Sequence, residues 1–209
     1  MTLEELAKVA GYLVVGVDDD RSFKLKSMAS AMDPTALYYR FLWKLAQTLK
    51  PAFSVEIGTY VGTSAVHMAD GNPDGTVLTI DMNQDAKNIV DRLEIPNLIA
   101  VHDSSALAVK LLKMLPPIDV LFIDGNHCFN NCYGEYDLYR PFVRDGGVIL
   151  FDDIDIDRQM ETAWKYILDP KISLKSLHYT GFGAAIKDPS VSIPKWADIA
   201  SKAAAEFAK

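Results

Sequence analysis

The sequence predicts an α/β fold, a doubly wound and mostly parallel seven-stranded sheet closed by a C-terminal antiparallel hairpin. Three observations predict it. After about residue 50, short apolar runs alternate with helix-compatible stretches. The connections between them are short, as in βαβ units. Two final runs flank Thr180-Gly181, which reads as a hairpin turn.

Taken in order, Ser54–Ile57 is the first strand and Thr76–Ile80 the second, entered through Asn72-Pro-Asp-Gly75 and ending in Asp81. Leu98–Val101 and Asp119–Ile123 follow, and Val148–Phe151 comes after Asp145-Gly-Gly147. These runs are apolar enough for burial on both faces of a parallel sheet. Leu174–Tyr179 and Phe182–Lys187 form the hairpin. Helices are expected at Thr63–Ala69, Asp85–Leu93, Ser105–Leu115, Asn130–Val143 and Arg158–Leu168. Ahead of the core, Pro34–Leu49 has apolar residues at helical spacing, with Asp33 as N-cap and Pro34 at the first turn. It reads as a packing helix, or one whose Tyr38, Tyr39 or Trp43 walls a pocket. Residues 1–33 are expected to be an extension, with a short helix and a mobile loop holding Asp18-Asp-Asp-Arg21. Residues 34–193 are the core of a single domain, and 194–209 a C-terminal helix.

Composition narrows the classes. The 209 residues, 49% of them hydrophobic, suffice for one full α/β core. No apolar stretch approaches the ~20 residues of a membrane span, and Met-Thr-Leu-Glu-Glu lacks the pattern of a signal peptide. A net charge of −7 with dispersed Lys and Arg argues against a phosphate-tracking nucleic-acid surface. Cys128 and Cys132 lack partners at zinc-site spacing and read as free thiols. A cytoplasmic protein with a small-molecule substrate, no nucleic acid and no membrane fits these traits.

The chemistry concentrates at strand ends. After Val55 and Ile57 the chain turns through Gly58-Thr-Tyr-Val-Gly62 into a helix, which places a ligand site at the carboxyl edge of the sheet. Glu56 within that strand is a poor neighbour for dinucleotide phosphates and suits a positively charged ligand. That points to S-adenosylmethionine rather than NAD. Asp81 reads as an acceptor for a ribose diol or as a turn-capping residue. Asp103 of Asp103-Ser104-Ser105 either edges an adenine or caps the next helix. Asp124, Asp152 and Asp153 end the fourth and fifth strands, and three carboxylates sharing a site need a cation or raised pKa values. All-oxygen ligation suits Mg²⁺ or Mn²⁺. Asp153 and Asp155 also read as solvated loop acids. His127 reads as a ligand, a base or a loop residue without a role.

Together these motifs resemble a known family. Glu56-Ile-Gly-Thr-Tyr-Val-Gly-Thr-Ser-Ala-Val-His-Met-Ala69 is similar to the cofactor motif of catechol O-methyltransferase and its metal-dependent relatives. Phe122-Ile-Asp-Gly-Asn-His127 and Gly146-Gly-Val-Ile-Leu-Phe-Asp-Asp153 resemble segments of the macrocin and mycinamicin sugar O-methyltransferases and of cephalosporin-hydroxylase-like proteins. The resemblance covers roughly residues 35–187 and implies a Rossmann-like class I methyltransferase, which also carries a terminal hairpin. It implies that Glu56, Gly58, Thr59, Tyr60, Gly62 and Ser64 surround the methionine part of S-adenosylmethionine. Asp81 would take the ribose, with Asp103, Ser104 and Asp124 completing the cofactor site. Asp124, Asp152 and Asp153 would hold Mg²⁺, and His127 would be the base. Asn126 stands in place of a frequent aspartate, and Asp153 where the catechol enzymes have asparagine. The implied activity is metal-dependent O-methylation of a sugar, polyol or catechol-like diol, by a possible homodimer. The rival readings are an S-adenosylmethionine-binding module without turnover and an NAD-dependent oxidoreductase, the latter disfavoured by the incomplete G-x-G-x-x-G.

Overall fold

The computed structural model describes residues 1–14 and 37–207. Asp33, Pro34 and Asp18-Asp-Asp-Arg21 lie outside the described residues. Seven strands form one sheet: β1 Phe53–Ile57, β2 Thr76–Asp81, β3 Leu98–His102, β4 Ile118–Ile123, β5 Val143–Asp152, β6 Lys171–Ser173 and β7 Phe182–Ile186. Their spatial order is β3-β2-β1-β4-β5-β7-β6. The first five are parallel, whereas β7 runs antiparallel to both β5 and β6. The chain runs outward from β1 to β3 and then returns to place β4 on the other side of β1. That reversal opens a crevice beside the carboxyl end of β1.

Side-chain alternation along the central strands builds two cores, one on each face. Val55, Ile57, Leu121, Ile123 and Phe151 face one core. It is closed by α5 (Ser105–Leu112), α6 (Phe129–Tyr139), α7 (Arg158–Tyr166) and α8 (Trp196–Phe207). Val120, Phe122 and Leu150 face the other, closed by α1 (Leu3–Val14), α2 (Leu37–Leu49) and α3 (Thr63–Gly71). Between β2 and β3 lies α4 (Gln84–Asp91). Among the described residues no helix is long and apolar enough to cross a membrane.

Several boundaries differ from those read off the sequence. The hairpin partner of β7 is Lys171–Ser173 rather than Leu174–Tyr179. Leu174 and Leu177, three residues apart, both enter the core, and Leu177 N–H donates to the Leu174 carbonyl. That spacing makes a turn, so the segment bends and carries His178 to the end of β5. The helix after β4 stops at Tyr139, continues as a 3-10 turn Arg140–Phe142, and Val143 begins β5. Pro141 accounts for the stop, because it cannot donate to the helical ladder. Nor is β3 buried on both faces: it is an edge strand with Ile99 half-exposed and His102 exposed.

Candidate functional site

The carboxyl ends of four parallel strands align because backbone hydrogen bonds continue past them. Gly58 N–H donates to Ile80 O, Asp103 N–H to Asp81 O, and Asp124 N–H to Ile57 O. Over this edge lies a cleft of about 580 Å³. It is lined by Gly58–Val61 and Ser64 after β1, Asp81–Asn83 after β2, and Asp103 and Ser105 after β3. Asp124–His127 follow β4, and Tyr39, Asn131 and Glu135 complete the wall. Among the described residues the lining contains no Lys or Arg and holds Asp81, Asp103, Asp124 and Glu135.

The loop after β1 is held shut against itself. Gly58 (φ +100°) and Gly62 (φ +82°) take left-handed conformations. A Cβ at Gly58 would sit 1.9 Å from the Asp124 carbonyl oxygen, so glycine is required for β1 and β4 to meet there. Tyr60 is also left-handed (φ +49°), an uncommon state for a non-glycine residue. What holds it is Asp81, whose Oδ2 accepts from the N–H groups of Thr59 (2.9 Å) and Tyr60 (3.0 Å). Oδ1 of Asp81 accepts from Asn83 N–H at 2.8 Å. Asp81 is therefore a turn-capping residue and also lines the cleft.

Glu56 is fully buried and does not line the cleft. It points to the face opposite Ile57, where the Ser64 and Thr79 hydroxyls donate to its two oxygens. Burial pushes its carboxyl up to about 7, against the pull of those donors. Thr59 Oγ1 lies 2.6 Å from Thr79 Oγ1, extending the same network. Ser64 reaches both Glu56 and the cleft. Glu56 is thus linked to the cleft through Ser64 at the start of α3.

At β3 the capping residue is Ser104, not Asp103: its Oγ accepts from Leu107 N–H at 3.3 Å. Asp103 instead accepts from Ser104 N–H and lines the cleft, which Ser104 does not.

The ends of β4 and β5 are adjacent, Ile123 pairing with Phe151, so Asp124 and Asp152 come together as expected from parallel pairing. The carboxylates gather around two histidines rather than forming a group by themselves. Asp124, His127 and Asp153 present ligand atoms within 4.8 Å of one another, and so do Asp152, Asp153 and His178. His127 Nε2 lies 3.0 Å from Asp153 Oδ2 and 3.7 Å from Asp124 Oδ1. His178 Nδ1 lies 2.8 Å from Asp152 Oδ1. The Thr180 hydroxyl donates to Asp153 Oδ1. Asp153 is aimed by a left-handed backbone (φ +56°), so it is not a solvated loop acid.

Both ways of relieving the carboxylate repulsion are taken. Burial raises Asp124 well above the carboxylate range and raises Asp152 as well. Hydrogen bonds that the His127 ring donates to Asp124 and Asp153 lift its pKa to about 10. The Asp152 contact outweighs burial and raises His178. His127 and Thr180 hold Asp153 below its usual value. His178 was missed in the sequence because it stood in a presumed strand. Its ring also packs on Tyr38, 4.7 Å between centroids. Of the α2 aromatics only Tyr39 lines the cleft; Tyr38 is core, and Trp43 Nε1 donates to Asp70. Cys128 and Cys132 are free, with Cys132 buried.

Residues 55–154, which carry every strand end described above, match the family model of a methyltransferase domain. That match spans just under half of the chain. It is 30% identical over 130 residues to an uncharacterized protein of Acanthamoeba polyphaga mimivirus, covering 56% of this chain and 59% of that one. It is 29% identical over 125 residues to a rhamnosyl O-methyltransferase of Mycobacterium tuberculosis, covering 54% of this chain and 50% of that one. The match thus spans about half the length of these relatives. The fold is shared with the O-methyltransferase of Bacillus cereus in complex with SAH: TM-score 0.62, 19% identity, 88% of this chain and 90% of that one. An SAH-bound methyltransferase of Podospora anserina gives TM-score 0.62 and 16% identity, over 90% and 97% of the two chains. The mostly parallel seven-stranded sheet with its antiparallel end is the fold that the chain shares with these neighbours.

Proposed function

We propose that the chain is an S-adenosylmethionine-dependent O-methyltransferase acting on a hydroxyl of a small molecule. One observation carries the reading: the amides of Thr59 and Tyr60 are spent on Asp81, in a cleft whose described lining holds four acids and no Lys or Arg. A dinucleotide pyrophosphate needs free amides or cations there. A sulfonium with an α-amino group needs the reverse. Asp81 Oδ1, accepting one N–H only, retains capacity for a ribose hydroxyl.

The donors at the ends of β4 and β5 fit a divalent ion. Asp124, Asp152 and Asp153 would hold it, drawing together two clusters that share Asp153, one with His127 and one with His178. Such an ion, when bound, lowers the pKa of a substrate hydroxyl. His127 borders the cleft beside Asp124, and it takes the hydroxyl proton at Nε2. Asp153 Oδ2 lies 3.0 Å from that same Nε2 and steadies the proton once it is taken up. Buried Asp152 is fixed by His178, which keeps the end of β5 in register with His127. Holding acceptor and methyl donor together supplies on the order of 7–11 kcal/mol of the barrier reduction. A vicinal diol, in a sugar or polyol, is the favoured substrate class, supported by His127 and by the similarity to a rhamnosyl O-methyltransferase.

Calorimetric titration with S-adenosylmethionine and with NAD tests the cofactor, the first binding and the second not. Turnover on vicinal diols with added Mg²⁺ tests the reaction. Binding without turnover across sugars, polyols and catechols would leave a cofactor-binding module.

A further inference from the structure

Glu135 is an acid of the cleft wall with no part in this mechanism. Glu135 lies on α6 and is only 6% exposed. Its Oε1 accepts from Ser105 Oγ at 2.9 Å, and the Ser105 carbonyl is fixed in turn by Tyr139 OH at 2.7 Å. Its Oε2 is buried without a hydrogen-bond partner. An orphaned buried carboxylate oxygen is costly and calls for a donor that arrives with a ligand. The carboxylate rests against Gly125, where a Cβ would stand 3.3 Å from Oε2. It therefore lines the cleft beside Ser105 at the start of α5 and Gly125 after β4.

We propose that Glu135 reads the nucleobase, its Oε2 accepting a hydrogen bond from the exocyclic amine of adenine. This rests on the reading of the cleft as an S-adenosylmethionine site. If Asp81 takes the ribose, the base lies toward Asp103, Ser105 and Gly125, which is where Glu135 waits. Adenine offers a donor at that edge, whereas a 6-oxo purine presents a second acceptor to the carboxylate. The preference is thus for an amino-purine over an oxo-purine. Gly125 permits it, since a side chain there would shield the carboxylate.

The test is calorimetry on the full chain at a pH above 7, where Glu135 is ionised, with S-adenosylhomocysteine and its 6-oxo analogue, S-inosylhomocysteine. The wild type is expected to favour the adenosyl compound by about ten- to a hundredfold. Glu135→Gln, whose amide can donate to the oxo group, should bring the two within about threefold. Glu135→Asp, which withdraws the carboxylate by one methylene, should also lose most of the preference. A wild type that binds S-adenosylhomocysteine without preference overturns the proposal, as does a preference retained in a folded variant. In both cases the cofactor reading stands. A wild type that binds neither S-adenosylhomocysteine nor S-adenosylmethionine overturns the cofactor reading and the proposal with it.

Discussion

His127 Nε2 sits 3.0 Å from Asp153 Oδ2, a contact that ties the loop after β4 to the end of β5. It makes the histidine a protonated partner of the carboxylates, with its pKa lifted to about 10. A divalent ion on those carboxylates would offset the lift, bringing the base toward neutrality. His127→Ala is expected to lose on the order of 10²–10⁴ in kcat with cofactor affinity unchanged. The wild-type rate should rise with pH and level off, and that limb should vanish in the variant. A change of only a few-fold, with the pH profile unmoved, would remove the proton-accepting role.

The same shifts set a dependence of stability on pH. His127 has a folded pKa of about 10 against 6.5, so its contribution is fully present below 6.5 and is lost as pH rises toward 10. Glu135 is a carboxyl raised from 4.5 to about 7 by burial, so the folded state favours its neutral form. Its contribution also falls with rising pH, between 4.5 and about 7. Thermal melts should therefore show Glu135→Gln flattening the lower window and His127→Ala the upper. If the two variants track the wild type through both windows, these groups are not linked to folding.

Asp81 serves two masters, the loop amides of Thr59 and Tyr60 and the proposed ribose. Asp81→Ala removes both acceptors, so S-adenosylhomocysteine affinity should fall at least ten- to a hundredfold. Left-handed Tyr60 loses its tether at the same time, and the melting temperature should drop. Unchanged calorimetric affinity in the folded variant would show that no ribose contact is made.

Removal of the ion separates binding from chemistry. Exhaustive chelation should abolish turnover and leave S-adenosylhomocysteine affinity nearly intact, because Asp81 and the loop after β1 need no cation to keep their hydrogen bonds. Mg²⁺ or Mn²⁺ should restore the rate. Full activity after chelation would assign hydroxyl activation to His127 alone.

The alternation of strands and helices, and the placing of Asp81, Asp103, Asp124 and Asp152 at one edge, were legible in the sequence. An apolar run that breaks into an acid is local information: it marks both the strand and its end, and parallel pairing then brings the ends together. The glycine turn was legible for the same reason, since Gly58 and Gly62 stand between an apolar run and a helix.

Other features needed the folded chain. Glu135 is one polar residue in a helical stretch, and nothing in its neighbourhood says that α6 docks it beneath Gly125 with one oxygen unpaired. His178 stood in an apparent strand, until Leu174 and Leu177 both turned inward and carried it to Asp152. Glu56 was visible as an acid beside the turn, but only the start of α3 over β1 gives it Ser64 and takes it out of the cleft. The sequence by itself determined the fold class and the edge where chemistry collects, because periodicity and strand-ending residues act over a few positions. Tertiary structure decided which acids share a histidine, which are buried and which keep a free oxygen, because burial and charge pairing arise between residues that meet only when helices pack on the sheet.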